Sequence, residues 1–401
     1  MLGGSPKQIA PSRLFSEESL ARYCPGGYHP VKIGDVFANG RYTVLCKLGY
    51  GGYSTVWLAF DSGAKRHVAL KILTADSYGY QQDLFEMEIL SEIKSKGVTA
   101  PGSQHVLGPL DNFEHVGPNG KHVCLVFKAM GPDMSHFRRL FPRSRIPIPL
   151  MKLISRQLLL ALAFLHDTCQ VIHSDIKPQN ILIETREINE MLEHASPEVF
   201  MPKDPPLEPP NDFYIESVQI SSGYEDLSSI TEVSVRLADF GTASWFTRHL
   251  TEWIQPRMLR APEVILGAKW DYKVDIWNLG LIIWELSEGS LVFDGSWSAS
   301  APYTSEAHLA QMEAVLGIMP QSLLSRSNER DQFFDSEGRL LLPRTFPDMP
   351  LHTICKNPGM CEADKAHFLD MIKLMIQLEP RDRPDARSLL ESAWLTGFGP
   401  M

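Results

Sequence analysis

The 401-residue chain lacks any apolar run approaching the ~20 residues that a membrane span needs. An apolar cluster, Leu279 to Ile283, meets Glu285 soon afterwards and reads as a buried helix. Met1 to Ala10 carry no long apolar stretch, so no secretory signal is expected. The six cysteines (24, 46, 124, 169, 355 and 361) form no C-x-x-C pair, and no histidine partners them at metal-ligand spacing. Reduced, mostly buried thiols are expected, with no disulfide between Cys355 and Cys361. Bases are scarce where acids crowd. Residues 184–232 hold twelve Asp and Glu against only Arg186 and Lys203, a local −10 that matches the net charge of the whole chain. A nucleic-acid binder needs a basic face to meet phosphates, so neither nucleic acid nor membrane is an expected partner. Internal repeats are absent as well. What is present, 44% hydrophobic and 21% charged residues, suits a soluble globular chain with one two-lobed domain or two ordinary ones.

Periodicity divides the chain. Residues 1–39 are rich in Gly, Pro and Ser and read as an extension, with a possible helix around Glu17 to Tyr23. Strand-like alternation follows at Tyr42 to Cys46, Thr55 to Ala59 and His67 to Leu73, punctuated by glycine turns. Gln82 to Lys94 has helical spacing of Leu84, Phe85, Ile89, Leu90 and Ile93, and Val123 to Phe127 reads as another strand. Beyond Gly131-Pro132 helices dominate, at Leu150 to His166, 274–288, 307–316 and 363–378. The expected fold class is α+β, with a small antiparallel β lobe over 40–131 and a larger helical lobe over 132–398. The segment 185–232, acidic and with prolines at 197, 202, 205, 206, 209 and 210, reads as a loop or disordered insert. It has little hydrophobic periodicity except near 213–220. A spacer, a docking strip for Arg-rich substrates and a localisation element all remain open for it.

Four groups of residues carry chemistry. Leu48-Gly49-Tyr50-Gly51-Gly52-Tyr53-Ser54-Thr55-Val56 lies between two strands, and its glycines let backbone amides approach a phosphate chain, although a tight hairpin needs glycines too. Next, Lys71 closes the apolar strand Val68-Ala69-Leu70, where small Ala69 leaves room for a flat ring. A phosphate-binding lysine needs a carboxylate partner. Glu86 lies beside the buried stripe of the following helix and Glu88 faces water, so Glu86 is the choice. Third, Val171-Ile-His-Ser-Asp-Ile-Lys-Pro-Gln-Asn180 presents Asp175, Lys177 and Asn180 on one loop. A carboxylate to accept a hydroxyl proton, a lysine to neutralise a transferring phosphoryl group and an amide for Mg²⁺ are what in-line transfer requires. A polar turn would explain any one of the three but not all. Last, Asp239 follows the strand Val235 to Ala238 and precedes Phe240-Gly241, which fits a metal-binding aspartate or an Asx-turn. Glu263 and Arg383 offer a buried ion pair, and Asp275 can brace the catalytic-loop backbone.

The order and spacing of these motifs resemble the signature set of eukaryotic protein kinases: glycine loop, strand lysine, helix glutamate, H-x-D-x-K-x-x-N, D-F-G and A-P-E. Within that superfamily the chain is similar to the SR-protein kinases of the CMGC group, as a divergent, fungal-type member. Gly26 to Asp35, Ser54-Thr-Val-Trp57, His173-Ser-Asp-Ile-Lys-Pro178, Thr251-Glu-Trp-Ile-Gln255 and the insert before Asp239 carry that resemblance. It implies a bilobal kinase fold over about 40–398 and γ-phosphoryl transfer from Mg-ATP to serine or threonine of protein substrates, Arg/Ser-rich ones among them. It also implies a monomer working in cytoplasm and nucleus. Residue by residue, it makes Asp175 the proton acceptor and Lys177 the phosphate-stabilising lysine. Asn180 and Asp239 become the Mg²⁺ ligands, and Lys71 with Glu86 an ion pair. Phe127 becomes the gatekeeper, with the Lys128 carbonyl and Met130 amide meeting adenine.

Three departures stand out. Ser54 replaces the third loop glycine, as in the SR-protein kinases. Ser174 replaces the arginine that docks an activation-loop phosphate, which implies activity without phosphorylation of 242–260. Pro256 and Leu259 replace a threonine and a tyrosine of the substrate-facing loop, which leaves substrate choice open. A pseudokinase that binds nucleotide without turnover is the competing class. The filled lysine, base and metal positions favour the enzyme.

Overall fold

The computed structural model describes residues 17–78, 84–185, 188–195, 197–201, 211–218, 220, 232–342 and 346–396. Two compact units interleave along the chain. One comprises Met1–Asp83, Pro109–Ala129 and Glu187–Ile220; the other comprises Leu84–Gly108, Met130–Arg186 and Ser221–Met401.

The first unit is built on an antiparallel sheet of six strands: β1 (Val36–Phe37), β2 (Tyr42–Gly51), β3 (Ser54–Asp61), β4 (Arg66–Leu73), β5 (Asp111–Gly117) and β6 (Gly120–Lys128). Their spatial order is β1-β2-β3-β4-β6-β5. Alternation in β3 and β4 puts Trp57, Ala59, Val68, Leu70 and Ile72 into one core with Val44, Cys124 and Val126. The sequence leaves β5 unannounced, because Asp111-Asn-Phe-Glu-His-Val-Gly117 alternates only half-buried and exposed positions along a sheet edge. The extension departs from expectation too: the helix anticipated around Glu17 to Tyr23 is a single 3₁₀ turn, Leu20–Arg22.

The acidic insert is the larger correction. It contains a helix, Ile188–Glu193, and a short turn, Pro197–Phe200. Ile188, Leu192, Val218 and Ile220 bury themselves with Cys46, Leu58 and Ala129 in a second core of the same unit. The Asn189 side chain accepts a bond from the His67 amide at 2.7 Å, and the Val218 amide donates to the Lys47 carbonyl at 2.7 Å. Composition pointed to a loop, but these four apolar residues dock the described parts of the segment on the sheet. The prolines at 202, 205, 206, 209 and 210 lie outside the described residues.

The second unit is mainly helical. Its principal helices are Glu86–Lys96, Ile148–Ala163, Lys273–Glu288, Ser305–Leu316 and Glu362–Met375. These agree with the periodic segments to within a few residues. Four short strands complete it: β7 (Val171–Ile172) pairs with β10 (Ser244–Trp245), and β8 (Ile181–Ile183) with β9 (Val235–Leu237). The fold is therefore α+β. The helix from Ile148 continues through Cys169, 22 residues in all, and holds the uninterrupted apolar run Leu158 to Leu165, longer than the cluster at Leu279 to Ile283. By length and composition this helix could cross a membrane, yet 67% of its apolar window is buried inside the protein, as in a core helix. All six cysteines are free; Cys24 and Cys361 are exposed and the other four buried.

Candidate active site

In the second unit, the loop between β7 and β8 gathers three of the expected residues. The Lys177 ammonium lies 2.7 Å from the Asp175 carboxylate. The Asn180 amide donates to the same carboxylate oxygen at 3.0 Å and to the Asp175 carbonyl at 2.9 Å. Those bonds use the nitrogen of Asn180 and leave its oxygen as the atom offered to a cation. Beneath them the backbone is braced from a distance, as expected. Fully buried Asp275, in the first turn of helix Lys273–Glu288, accepts from the His173 amide at 2.8 Å and the Ser174 amide at 2.9 Å. The His166 ring also meets this carboxylate, at 2.8 Å, a partner the sequence gave no reason to single out.

Asp239 comes next to this loop through the β8–β9 pair. The Ala238 amide donates to the Asn180 carbonyl at 2.8 Å, which puts Asp239 one residue beyond a contact with Asn180. Asp239 is exposed and adopts a left-handed backbone, φ 67°. Such a conformation is unfavourable for most side chains and recurs at functional sites. His173 supports the turn by bonding the Ala238 carbonyl at 3.0 Å and packing its ring against Phe240. Asn180 and Asp239 offer hard oxygen donors, the kind Mg²⁺ takes alongside phosphate oxygens. Among the described residues no group of three or more His, Cys, Asp and Glu is arranged to hold a metal. A Mg²⁺ site completed by phosphates needs no such cage, so the donor set fits.

Ser174 has a defined task. Fully buried and left-handed at φ 64°, it donates its hydroxyl to the Thr242 carbonyl at 2.7 Å. This ties the catalytic loop to the segment after Asp239 without a phosphate. That segment is held further by the β7–β10 pair and by Phe246 stacked on Tyr272, ring centroids 5.1 Å apart. Arg248 then reaches Glu88 at 2.6 Å and covers the Phe85 ring. Glu88 is thus a surface residue of its helix, whereas Glu86 is 1% exposed. The loop departures have a structural reason as well. Gln255, at φ 69°, donates to the Val274 carbonyl and Asn278 side chain and accepts from the Ala261 amide. Asn278 in turn donates to the Leu259 carbonyl at 2.6 Å. Two side-chain amides therefore shape 255–261 where the expected threonine and tyrosine are missing. Glu263 and Arg383, both without exposed surface, form the anticipated bidentate pair at 2.6 and 2.8 Å.

The remaining expected residues belong to the first unit, except Met130, a buried residue of the second. Lys71 stands mid-sheet, opposite Val56 on one side and Leu125 on the other. Ala69 pairs with Phe127, and Val68 with Lys128. Leu48 to Val56 form the β2–β3 hairpin, whose tip pairs Gly51 with Ser54. Neither a positive φ nor crowding demands glycine in this hairpin. A Cβ at Gly49 or Gly52 would meet nothing within 4 Å, and at Gly51 only the Ser54 hydroxyl at 3.7 Å. The fold alone would accept side chains there.

The protein kinase domain family matches residues 42–395. A serine/threonine-protein kinase SRPK of Physarum polycephalum is 34% identical over 400 residues, covering 96% of this chain and 92% of that one. This chain belongs to the SRPK family of serine/threonine protein kinases. The kinase is also 29% identical to protein kinase dsk1 of Schizosaccharomyces pombe, over 94% of its own length and 85% of that protein. SRSF protein kinase 3 of Homo sapiens is 25% identical over 94% and 90% of the respective lengths.

Proposed function

We propose that this kinase transfers the γ-phosphoryl group of Mg-ATP to serines in Arg/Ser-rich segments of protein substrates. Asp175, clasped by Lys177 and Asn180 on a loop braced by Asp275, carries the reading. Asp175 accepts the proton of the attacking serine hydroxyl. Lys177 offsets negative charge on the transferred group, from 2.7 Å beside the base. Asn180 and Asp239 would hold Mg²⁺, while the Leu48 to Val56 hairpin and Lys71 would receive the triphosphate. Mg-ATP supplies the phosphoryl group and its charge-neutralising cation. The substrate class rests on a net charge of −10, which attracts Arg-rich segments, and on relatives named as SRSF protein kinases.

Phosphatase-treated full-length protein, assayed with Mg-ATP on an Arg-Ser repeat peptide and on its Ala-Ser counterpart, tests this directly. Transfer to the Arg-Ser peptide at an undiminished rate is expected, with the Ala-Ser peptide poor. Asp175→Ala should lower kcat by about 10²–10⁴-fold. Transfer that survives Asp175→Ala would refute the assignment of the base, and equal use of both peptides would refute the substrate class. A rate lost on phosphatase treatment would show that the Ser174–Thr242 tie does not suffice.

A further inference from the structure

Residues outside the kinase-domain match, which begins at 42, reach the glycine hairpin. Tyr28 is 4% exposed, and its hydroxyl donates to the Gly51 carbonyl at 2.7 Å, with the Gly52 carbonyl at 3.3 Å. Tyr28 is itself tightly placed. Its amide donates to the Arg22 carbonyl at 2.9 Å, and its carbonyl accepts from Asn119 at 2.6 Å. Just before it, Gly26 and Gly27 accept amides of Asp76 and Ala75 at 2.8 and 3.1 Å, and Gly26 donates to the Asn119 carbonyl at 2.8 Å. Gly27 has no alternative: a Cβ there would lie 1.8 Å from the Arg22 carbonyl oxygen. The strap that carries Tyr28 is therefore fixed to both the β4 and β5–β6 sides of the sheet before it touches the hairpin.

We infer that Tyr28 is a positioning residue for the phosphate-binding hairpin, setting the direction of the backbone amides at its tip. This rests on the hairpin's proposed role with ATP. A trans peptide is planar, with its C=O and N–H pointing in opposite directions. Holding the Gly51 carbonyl toward Tyr28 therefore turns the Gly52 amide away from Tyr28, and the same applies to Gly52 and the Tyr53 amide. Glycines leave those peptides free to rotate, and the hydroxyl takes that freedom away. Amides already aimed at an anion need no reorganisation when it binds. The ring of Tyr28 packs independently of its hydroxyl, so the two contributions can be separated.

Tyr28→Phe in the full-length kinase removes only the hydroxyl. Loss of one hydrogen bond predicts a rise of about three- to tenfold in KM for ATP. The peptide KM and the binding of adenosine, which has no phosphates, should stay unchanged. Hydrogen exchange should quicken at residues 51–54 and not elsewhere in the sheet. An unmoved ATP KM, or adenosine weakened in parallel with ATP, would overturn the inference. Should the variant not fold, exchange in the wild type decides: rapid exchange at the hairpin tip is incompatible with an anchored loop. Wild-type protein that transfers no phosphate from Mg-ATP would end the kinase reading as well, whereas an active wild type with an insensitive Tyr28→Phe ends this inference alone.

Discussion

Asp275 shows how little a single residue needs from its neighbours in sequence to shape a site far along the chain. Its carboxylate is wholly buried and meets three hydrogen-bonding groups: the His173 and Ser174 amides and the His166 ring. Buried polar groups of this kind must be satisfied, so the loop geometry and the carboxylate fix each other. An aspartate opening a helix can serve as a cap or, as here, brace a distant loop, so the role could be named as one of two; His166 could not be named, because a histidine on a buried helix face looks like core. His29 is a second buried polar residue, and it has a measurable consequence. Its ring packs on those of His115 and His122, with centroids 4.6 and 5.0 Å away. Burial first, then repulsion by those two histidines, pushes its pKa down from 6.5 to about 3. The folded protein thus refuses a proton that the unfolded chain accepts between these values. Stability from the neutral ring is complete above pH 6.5 and fades as pH falls toward 3, amounting to about 2 kcal/mol lost by pH 5. Urea unfolding at pH 7.5 and 5 should show this fall, and His29→Phe should make it shallower. The same fall in both proteins would place the acid sensitivity elsewhere.

Elements were legible where one face is buried and the other wet. Trp57, Val68 and Leu70 alternate with partners that make β3 and β4 readable, and the apolar stripe of Ile148–Ala163 identifies a core helix. Legibility failed where burial is decided by tertiary contact. The strand β5 has an edge pattern too weak to see, and the helix Ile188–Glu193 hides inside an acid-rich segment whose composition suggests no fold at all. Composition averages over a window, whereas docking needs only a few well-spaced apolar side chains. Leu192 tests the point, being 3% exposed among Cys46, Leu58 and Val218. Leu192→Ala should cost about 2–4 kcal/mol and lower the melting temperature by several degrees. A melting curve indistinguishable from wild type would make that helix a passenger on the sheet. The grouping of Asp175, Lys177 and Asn180, by contrast, was readable, because they lie within six residues, and the structure joins them by hydrogen bonds.

At the scale of the molecule, segments distant in sequence share single contacts. Lys47, on β2 next to the glycine hairpin, has no exposed surface. Its ammonium is met by Glu17 at 2.8 Å, by Glu18 and by the Ile215 carbonyl at 3.1 Å. Tyr214 bonds the Glu18 carbonyl, and Ser217 bonds the Glu17 carboxylate, so extension and insert meet over this one cation. Nothing in the kinase signature motifs marks Lys47, whose counter-charges lie before residue 42 and whose carbonyl partner lies past residue 187.

A gene trimmed to the conserved domain would therefore make a poor reagent. Beginning translation at residue 40 discards Glu17 and Glu18 and strands an ammonium ion inside the sheet, at a penalty of about 3–5 kcal/mol. Such a fragment should accumulate in inclusion bodies or melt well below one that starts at Met1, while a cut made after residue 396 leaves this pairing intact. Equal soluble yield and equal melting temperature for the two starting points would mean that Lys47 finds other company once its acids are gone.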